Sequence, residues 1–362
     1  MPIKLLRGLV LVLSFLPVLS CVHSTEWSGH KIDLMLKEEQ DKLQLSEFCS
    51  LTDIIPLENK DEALLTPGAL SSYKIHDGVI YILDKVSHKI QLFSLDGSYI
   101  STVSRYGNGP GEYNNENELF VNPFANTLDI VTNRGQIISY DITNPGKHVR
   151  TFDIAPDIKA VKNCFLHASG KGYFFYAPYS LHQLGYFDLQ SNDVRYFDYK
   201  IDEKIVRSHY SISITPFGYN ESEVLFMQSC SGKVFSLDEK TMKMSPYLLF
   251  DAGKYSYITD VEGDFKEMSH KMASPYNRFA ECGRFVFSEF FFNEQWRTAI
   301  YDKQTGTCRS FRTTDDGTMF TLGQIVGNDM YLLVDPQFLP YYVKQKPITQ
   351  DGNYILLKYR LW

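Results

Sequence analysis

The chain has 362 residues and a net charge of −7, with acids and bases interspersed and no basic run. Nucleic acid is therefore a poor partner class, because neutralising phosphates needs clustered Lys and Arg. Aromatic residues reach 14%, with Tyr and Phe far above Trp. That suits pleated sheet, and it equally suits stacking on sugars or peptides.

The first residues read as an export signal. Met1–Arg7 carries Lys4 and Arg7, and the apolar stretch Gly8–Leu19 is 12 residues long. A membrane span needs about 20, and the stretch ends at small residues. Val18, Leu19, Ser20 and Cys21 read like a bacterial lipobox, which makes Cys21 the expected lipidated first residue of the mature chain. The alternative is an ordinary cleaved signal with an incidental cysteine. Five further cysteines, Cys49, Cys164, Cys230, Cys282 and Cys308, are odd in number, scattered and without CxxC spacing. They read as buried small residues, with Cys282 and Cys308 the one pair weighed for oxidation. Signal peptide, 1–20, gives way to a polar stretch, 21–46, read as a tether and short capping segment with a helix-like run around Leu34–Leu45.

From residue 47 to 362 one pattern recurs: an apolar strand, a polar break, and a second strand ending in an aromatic or Leu and an Asp before a turn. It runs Val79–Asp84 then Ile90–Asp96; Leu128–Val131 then Ile137–Asp141; Tyr173–Tyr176 then Leu184–Asp188; Val224–Met227 then Val234–Asp238; Phe285–Ser288 then Thr298–Asp302. A looser sixth copy pairs Met330–Asp335 with Tyr354–Tyr359. The strand-ending Asp96, Asp141, Asp188, Asp238 and Asp302 are 45, 47, 50 and 64 residues apart. A period of about 40–50 residues with several strands per unit predicts propeller blades. The expected fold is all-β: a six-bladed β-propeller of four-stranded antiparallel blades. Pairing Cys49–Leu57 with Tyr354–Leu361 would close the ring and leave no exposed edge. The long interval after Asp238 reflects an insertion at Asp251–Ser274, in which Asp260–Met272 suggests a short helix that shapes a surface.

After the first full blade comes Arg105, Tyr106, Gly107, Asn108, Gly109, Pro110, Gly111, Glu112, Tyr113. Three glycines and a proline specify a sharp backbone with positive-φ positions. One reading is a blade-to-blade turn held by an Arg105–Glu112 ion pair. The other is a loop that presents Arg105, Asn108, Glu112 and Tyr113 to a ligand.

Together with Ile55–Glu58, Val79–Asp84 and Gln91–Gly97, this loop makes residues 50–113 resemble the six-bladed β-propeller lipoproteins of Bacteroidetes, related to NHL and TolB-like propellers. The resemblance implies a six-bladed fold and a place in the cell envelope, lipid-anchored to a bacterial membrane and facing either the periplasm or the exterior. It implies no established activity. Beyond residue 113 it rests on blade periodicity.

In a propeller, the breaks between the second and third strands and the links between blades share one face. That face collects Arg105–Tyr113, Lys85–Lys89, Thr132–Gln136, Ala177–Gln183, Gln228–Lys233, Phe290–Arg297, Arg207–Tyr210 and Tyr276–Arg278. Recognition is usually placed in loops on a rigid scaffold. The candidate ligand-binding residues are therefore Arg105, Asn108, Glu112, Tyr113, Arg134, Tyr179, His182, His209, Tyr210, Asn277, Arg278, Phe291 and Trp296. Phe290, Phe291 and Phe292 are consecutive, and a strand buries only alternate residues on one face. At least one ring should then lie off the core, with Phe291 and Trp296 as a stacking pair. Phe338, Tyr341 and Tyr342 form a second aromatic candidate.

No HExxH, GxSxG, P-loop or Rossmann glycine pattern is present. The favoured reading is a non-catalytic envelope lipoprotein with no cofactor, binding a glycan, a peptide or an envelope protein partner on its loop face. Its only expected membrane contact is the lipid. The alternative is a metal-dependent hydrolase or lyase with a divalent metal in the central channel, held by some of Glu112, Asn133, His182, His209 and Asn277. His209 beside Tyr210 is a further acid–base candidate.

Overall fold

The computed structural model describes residues 27–36, 41–68, 70–154, 158, 161, 163–167, 169–201, 216–220, 223–228, 230–256, 265–274, 276–344 and 352–362. It is a ring of six antiparallel sheets, numbered here as blades 1 to 6 from the innermost strand outward. Blade 1 comprises Leu70–His76, Val79–Asp84, Lys89–Ser94 and Tyr99–Val103. Blade 2 comprises Glu116–Asn122, Thr127–Thr132, Gln136–Asp141 and His148–Asp153. Blade 3 runs Asn163–Leu166, Gly172–Tyr176, Leu184–Asp188 and Val194–Tyr196. Blade 4 runs Phe217–Asn220, Glu223–Met227, Lys233–Asp238 and Lys243–Asp251. Blade 5 runs Tyr276–Cys282, Phe285–Phe292, Gln295–Asp302 and Thr307–Phe311. Blade 6 takes Gln324–Val326, Asp329–Val334 and Ile355–Leu361 from the end of the chain and Cys49–Pro56 from its beginning. Ile355 pairs with Pro56 and Leu361 with Cys49, so the ring closes by the expected pairing of N- and C-terminal strands.

The packing explains why the middle strands read as unbroken apolar runs. Each blade is covered on both faces, and alternate side chains of one strand enter different cores. Ile80 and Ile82 join Tyr331, Leu333 and Leu356 between blades 6 and 1, while Tyr81 and Leu83 join Leu128, Ile130 and Tyr140 between blades 1 and 2. Equivalent cores lie between blades 2 and 3, 3 and 4, 4 and 5, and 5 and 6. Six interfaces for six blades is the property of a closed ring; an open row would have one fewer.

The recurring aspartates have a local cause. Each accepts the backbone N–H two residues on, at the turn between the third and fourth strands: Asp96 from Ser98 (3.0 Å), Asp141 from Thr143 (2.9 Å), Asp188 from Gln190 (2.8 Å), Asp238 from Lys240 (2.8 Å) and Asp302 from Gln304 (2.9 Å). A carboxylate in that position substitutes for a backbone turn. Blade 6 lacks the aspartate because its outermost strand comes from the other end of the chain and no turn is made.

The segment before blade 6 departs from the expected tether and helix. His30–Asp33 is a strand paired in parallel with the outermost strand of blade 4, in the register His30 to Leu248 and Asp33 to Asp251. Lys42–Leu43 pairs in parallel with Thr313–Thr314. The spacing explains the outcome: Ile32 and Leu34, two residues apart, are 1% and 0% exposed in the core between blades 4 and 5. A period of two belongs to a strand. The packed ring therefore begins before residue 47. Asp41 also accepts a 2.6 Å bond from Arg297, tying this strap to blade 5.

In the insertion after blade 4 the described helix is short, Phe265–Ser269, within the stretch expected to be helical. It does shape a surface. His270 contacts Asn293 (2.6 Å) and Glu294 (2.8 Å) and braces the tip of the blade 5 hairpin. The five described cysteines are free. Cys282 and Cys308 pack towards the cores on opposite faces of blade 5, which keeps them apart. Among the described residues, no helix is long and apolar enough to cross a membrane.

Candidate functional site

The links between blades and the turns between second and third strands lie on one face of the ring. On it, the loop 105–115 carries the chain from the outermost strand of blade 1 to the innermost strand of blade 2. Its conformation is fixed from within. Tyr113 N–H donates to Arg105 O (2.9 Å), Gly107 N–H to Tyr113 O (3.0 Å) and Glu112 N–H to Gly109 O (3.0 Å). The Glu112 carboxylate folds back and accepts Gly109 N–H at 2.8 Å. The glycines are not equally constrained, since at Gly107 and Gly109 a side chain would meet only the movable end of Glu112. A Cβ at Gly107 would lie 2.0 Å from the Glu112 carboxylate. Gly111 has φ of +72°, and a Cβ there would meet the His148 ring at 2.5 Å. Gly109 has no positive φ, so the expected run of left-handed positions reduces to Gly111.

The ion pair expected between Arg105 and Glu112 does not form. Arg105 donates through Nε to Gly146 O (2.9 Å), joining the loop to blade 2 instead of to Glu112. Tyr113 is fully buried; its hydroxyl donates to His88 O (2.8 Å), and burial pushes the phenol pKa upward. It is a fastener beneath the loop and presents nothing to solvent. Tyr140 Oη likewise donates to Gly111 O (2.8 Å).

Between this loop and the outer half of blade 2 lies a cleft of about 510 Å3. Asn108 and Glu112 line one side; Arg134, Gln136, His148 and Thr151 line another. Ligand pockets are commonly about 300–1,000 Å3. Most of its polar groups are held in place already. Gln136 donates to Asp153 (3.0 Å), His148 Nε2 meets Thr151 Oγ1 (3.0 Å), and Asn114 donates to Asn108. Sequence reasoning named Asn108, Glu112 and Arg134, placed Gln136 on the loop face without singling it out, and missed His148 and Thr151. The last three sit on the third and outermost strands of blade 2, where His148 packs against Gly111, and no local motif marks them as binding residues.

Next to the cleft, at the top of the innermost strand of blade 2, Glu116 is buried and meets His88 Nδ1 at 2.5 Å. The His88 ring stacks on Tyr106 with centroids 3.9 Å apart. Nearby, Asp84 accepts N–H groups from Val86 and Ser87 (both 3.0 Å) and from Thr66 (2.8 Å). Its burial opposes ionisation, yet the Ser87 and Thr66 donors prevail and hold its pKa below the usual carboxylate range.

The other candidates are spread around the ring. Tyr179 is exposed, and His182 stacks on Tyr196 at 4.2 Å beside a separate hollow of about 360 Å3 on blade 3. Glu112 and His182, two of the residues weighed for a channel metal, thus line different depressions. Arg278 lies in the innermost strand of blade 5, not in a link, and donates to Leu322 O (2.6 Å) at the join with blade 6. Tyr276 belongs to the same strand. Phe290 is buried, whereas Phe291 and Phe292 are half-buried, as the consecutive rings required. Phe291 and Trp296 form an edge-to-face pair at 5.4 Å and 68°. The strands around them run to Phe292 and from Gln295, so the break is only Asn293 and Glu294. Phe338 and Tyr341 are exposed, while Tyr342 packs towards the core of blades 5 and 6. His209, Tyr210, Cys21 and the side chain of Asn277 lie outside the described residues.

Among solved structures, the chain is similar to an exported protein of Bacteroides fragilis at a TM-score of 0.66 and 15% identity, covering 92% of this chain and 99% of that one. It is also similar to a member of the DUF4221 family from Bacteroides vulgatus, with a TM-score of 0.57, 9% identity, and 89% and 99% coverage. At these identities the likeness is one of fold. No curated protein matches the sequence. Residues 30–353 match the family model of a domain of unknown function, DUF4934, and the chain belongs to that family.

Proposed function

We propose that this chain is an envelope protein whose propeller binds a glycan, a peptide or a protein partner on its loop face without transforming it. The observation that carries this reading is the cleft between loop 105–115 and blade 2. It is polar and sized for a small ligand, and it is walled by a backbone that internal hydrogen bonds already hold in shape. Binding to a preformed site avoids the cost of ordering loops. The export signal and Cys21 support attachment to a membrane through lipid. The strand His30–Asp33 runs towards the loop face, so its N-terminal end lies on the opposite side. A lipid at Cys21 attached from that side would leave the loop face pointing away from the membrane.

The test is a glycan and peptide binding screen on the mature chain, with metal analysis alongside and a Thr151→Trp variant that fills the cleft. Thr151 is exposed, so its replacement should leave the melting temperature unchanged. Loss of binding in that variant supports the cleft. Undiminished binding moves the site elsewhere, and a stoichiometric metal with turnover of a bound substrate would replace the reading with a metal-dependent enzyme.

A further inference from the structure

The ligand class can be narrowed from the groups in the cleft that remain uncommitted, a step that rests on the binding reading above. Gln136, His148, Asn108 and Asn114 are each tied to a neighbour, and one Glu112 oxygen is held by Gly109 N–H. Arg134 differs. It is exposed at the turn between the second and third strands of blade 2, and among the described residues it makes no hydrogen bond or ion pair. Among the described residues it is also the only Arg or Lys lining the cleft, and no Phe, Tyr or Trp ring lines it.

We infer that the cleft takes an acidic sugar, with the ligand carboxylate on Arg134 and its hydroxyls on the amide and carboxylate groups around it. A guanidinium presents a planar fork that matches a carboxylate in two parallel hydrogen bonds. Asn108, Asn114 and Gln136 supply both donors and acceptors, and the second Glu112 oxygen accepts, which suits a body covered in hydroxyls. With Ile138 as the only large aliphatic side chain, the cleft offers little to an apolar peptide.

The experiment is calorimetric titration of the mature chain with trigalacturonate, with neutral galactotriose and with a tripeptide bearing a free carboxyl terminus, repeated for Arg134→Gln and Arg134→Lys. Trigalacturonate is expected to bind roughly ten- to a hundredfold tighter than galactotriose, the range of one charged hydrogen-bonded contact. Arg134→Gln should remove that advantage without changing galactotriose binding, and Arg134→Lys should restore only part of it. If Arg134→Gln leaves trigalacturonate affinity intact, or if the neutral sugar or the tripeptide binds at least as well, the acidic-sugar inference fails while ligand binding on this face stands. If none of the three probes binds and the wider screen is also empty, both fail.

Discussion

Gly107, Gly109 and Gly111 look equivalent in the sequence and are not equivalent in the fold. Gly111 combines a left-handed backbone with the His148 ring where a side chain would go, whereas a Cβ on Gly109 would lie 3.0 Å from the far end of a flexible Glu112. Gly111→Ala is therefore expected to lower stability by about 1–3 kcal/mol, the usual cost of forced overpacking. Gly109→Ala should cost less. Urea unfolding midpoints decide the order, and equal losses would contradict the loop geometry. The same comparison shows how much of the site was legible. Asn108, Glu112 and Arg134 sit in or beside recognisable turns and were named. Tyr113 was misjudged because a Tyr in a glycine-rich loop reads as exposed, whereas its ring is 0% exposed in the core between blades 1 and 2. His148 and Thr151 carry no local signal at all.

At the scale of elements, the turns between third and fourth strands give the molecule a shared acid sensitivity. The pKa values of Asp96, Asp141, Asp188, Asp238 and Asp302 all lie below the ordinary value. The leading cause is a side-chain bond from Ser94 for Asp96, Thr143 for Asp141, Thr241 for Asp238 and Arg284 for Asp302. In Asp188 burial pushes upward, and the Ser191 and Gln190 amides outweigh it. A carboxylate depressed in the folded state stabilises above its unfolded pKa of about 3.9, and that contribution is lost as pH falls through the folded value. The melting temperature should thus be steady above about pH 5 and drop as acid is added below about pH 4. Asp238→Asn keeps an acceptor for the Lys240 and Thr241 amides but removes the titration, so its acid-induced drop should be smaller. A drop equal to wild type would contradict this origin. Buried Asp129 works in the opposite sense: burial raises its pKa although Tyr173 donates to it, and its contribution is present at low pH and fades as pH rises. The blade pattern was readable because Asp and a turn follow the same strand five times. The N-terminal strap was misread because Ile32 and Leu34 sit in a polar stretch too short to display its period of two clearly.

For the whole molecule, six cores between six blades make a rigid ring, and rigidity is what gives the loop face meaning. Closure was legible because Cys49–Pro56 and Ile355–Leu361 read as strands at the two ends of the repeat. Which loops would form a cleft was not, since that depends on how the loop 105–115 leans on blade 2. The central claim is that this cleft is where a ligand sits. It is tested most directly by hydrogen–deuterium exchange of the mature chain with and without a ligand from the binding screen. Added protection should fall on residues 105–115, on the turn at 133–136 and on the strand His148–Asp153. Protection confined instead to 178–183 on blade 3 or to the aromatic hairpin at 291–296, with the cleft unchanged, would contradict it.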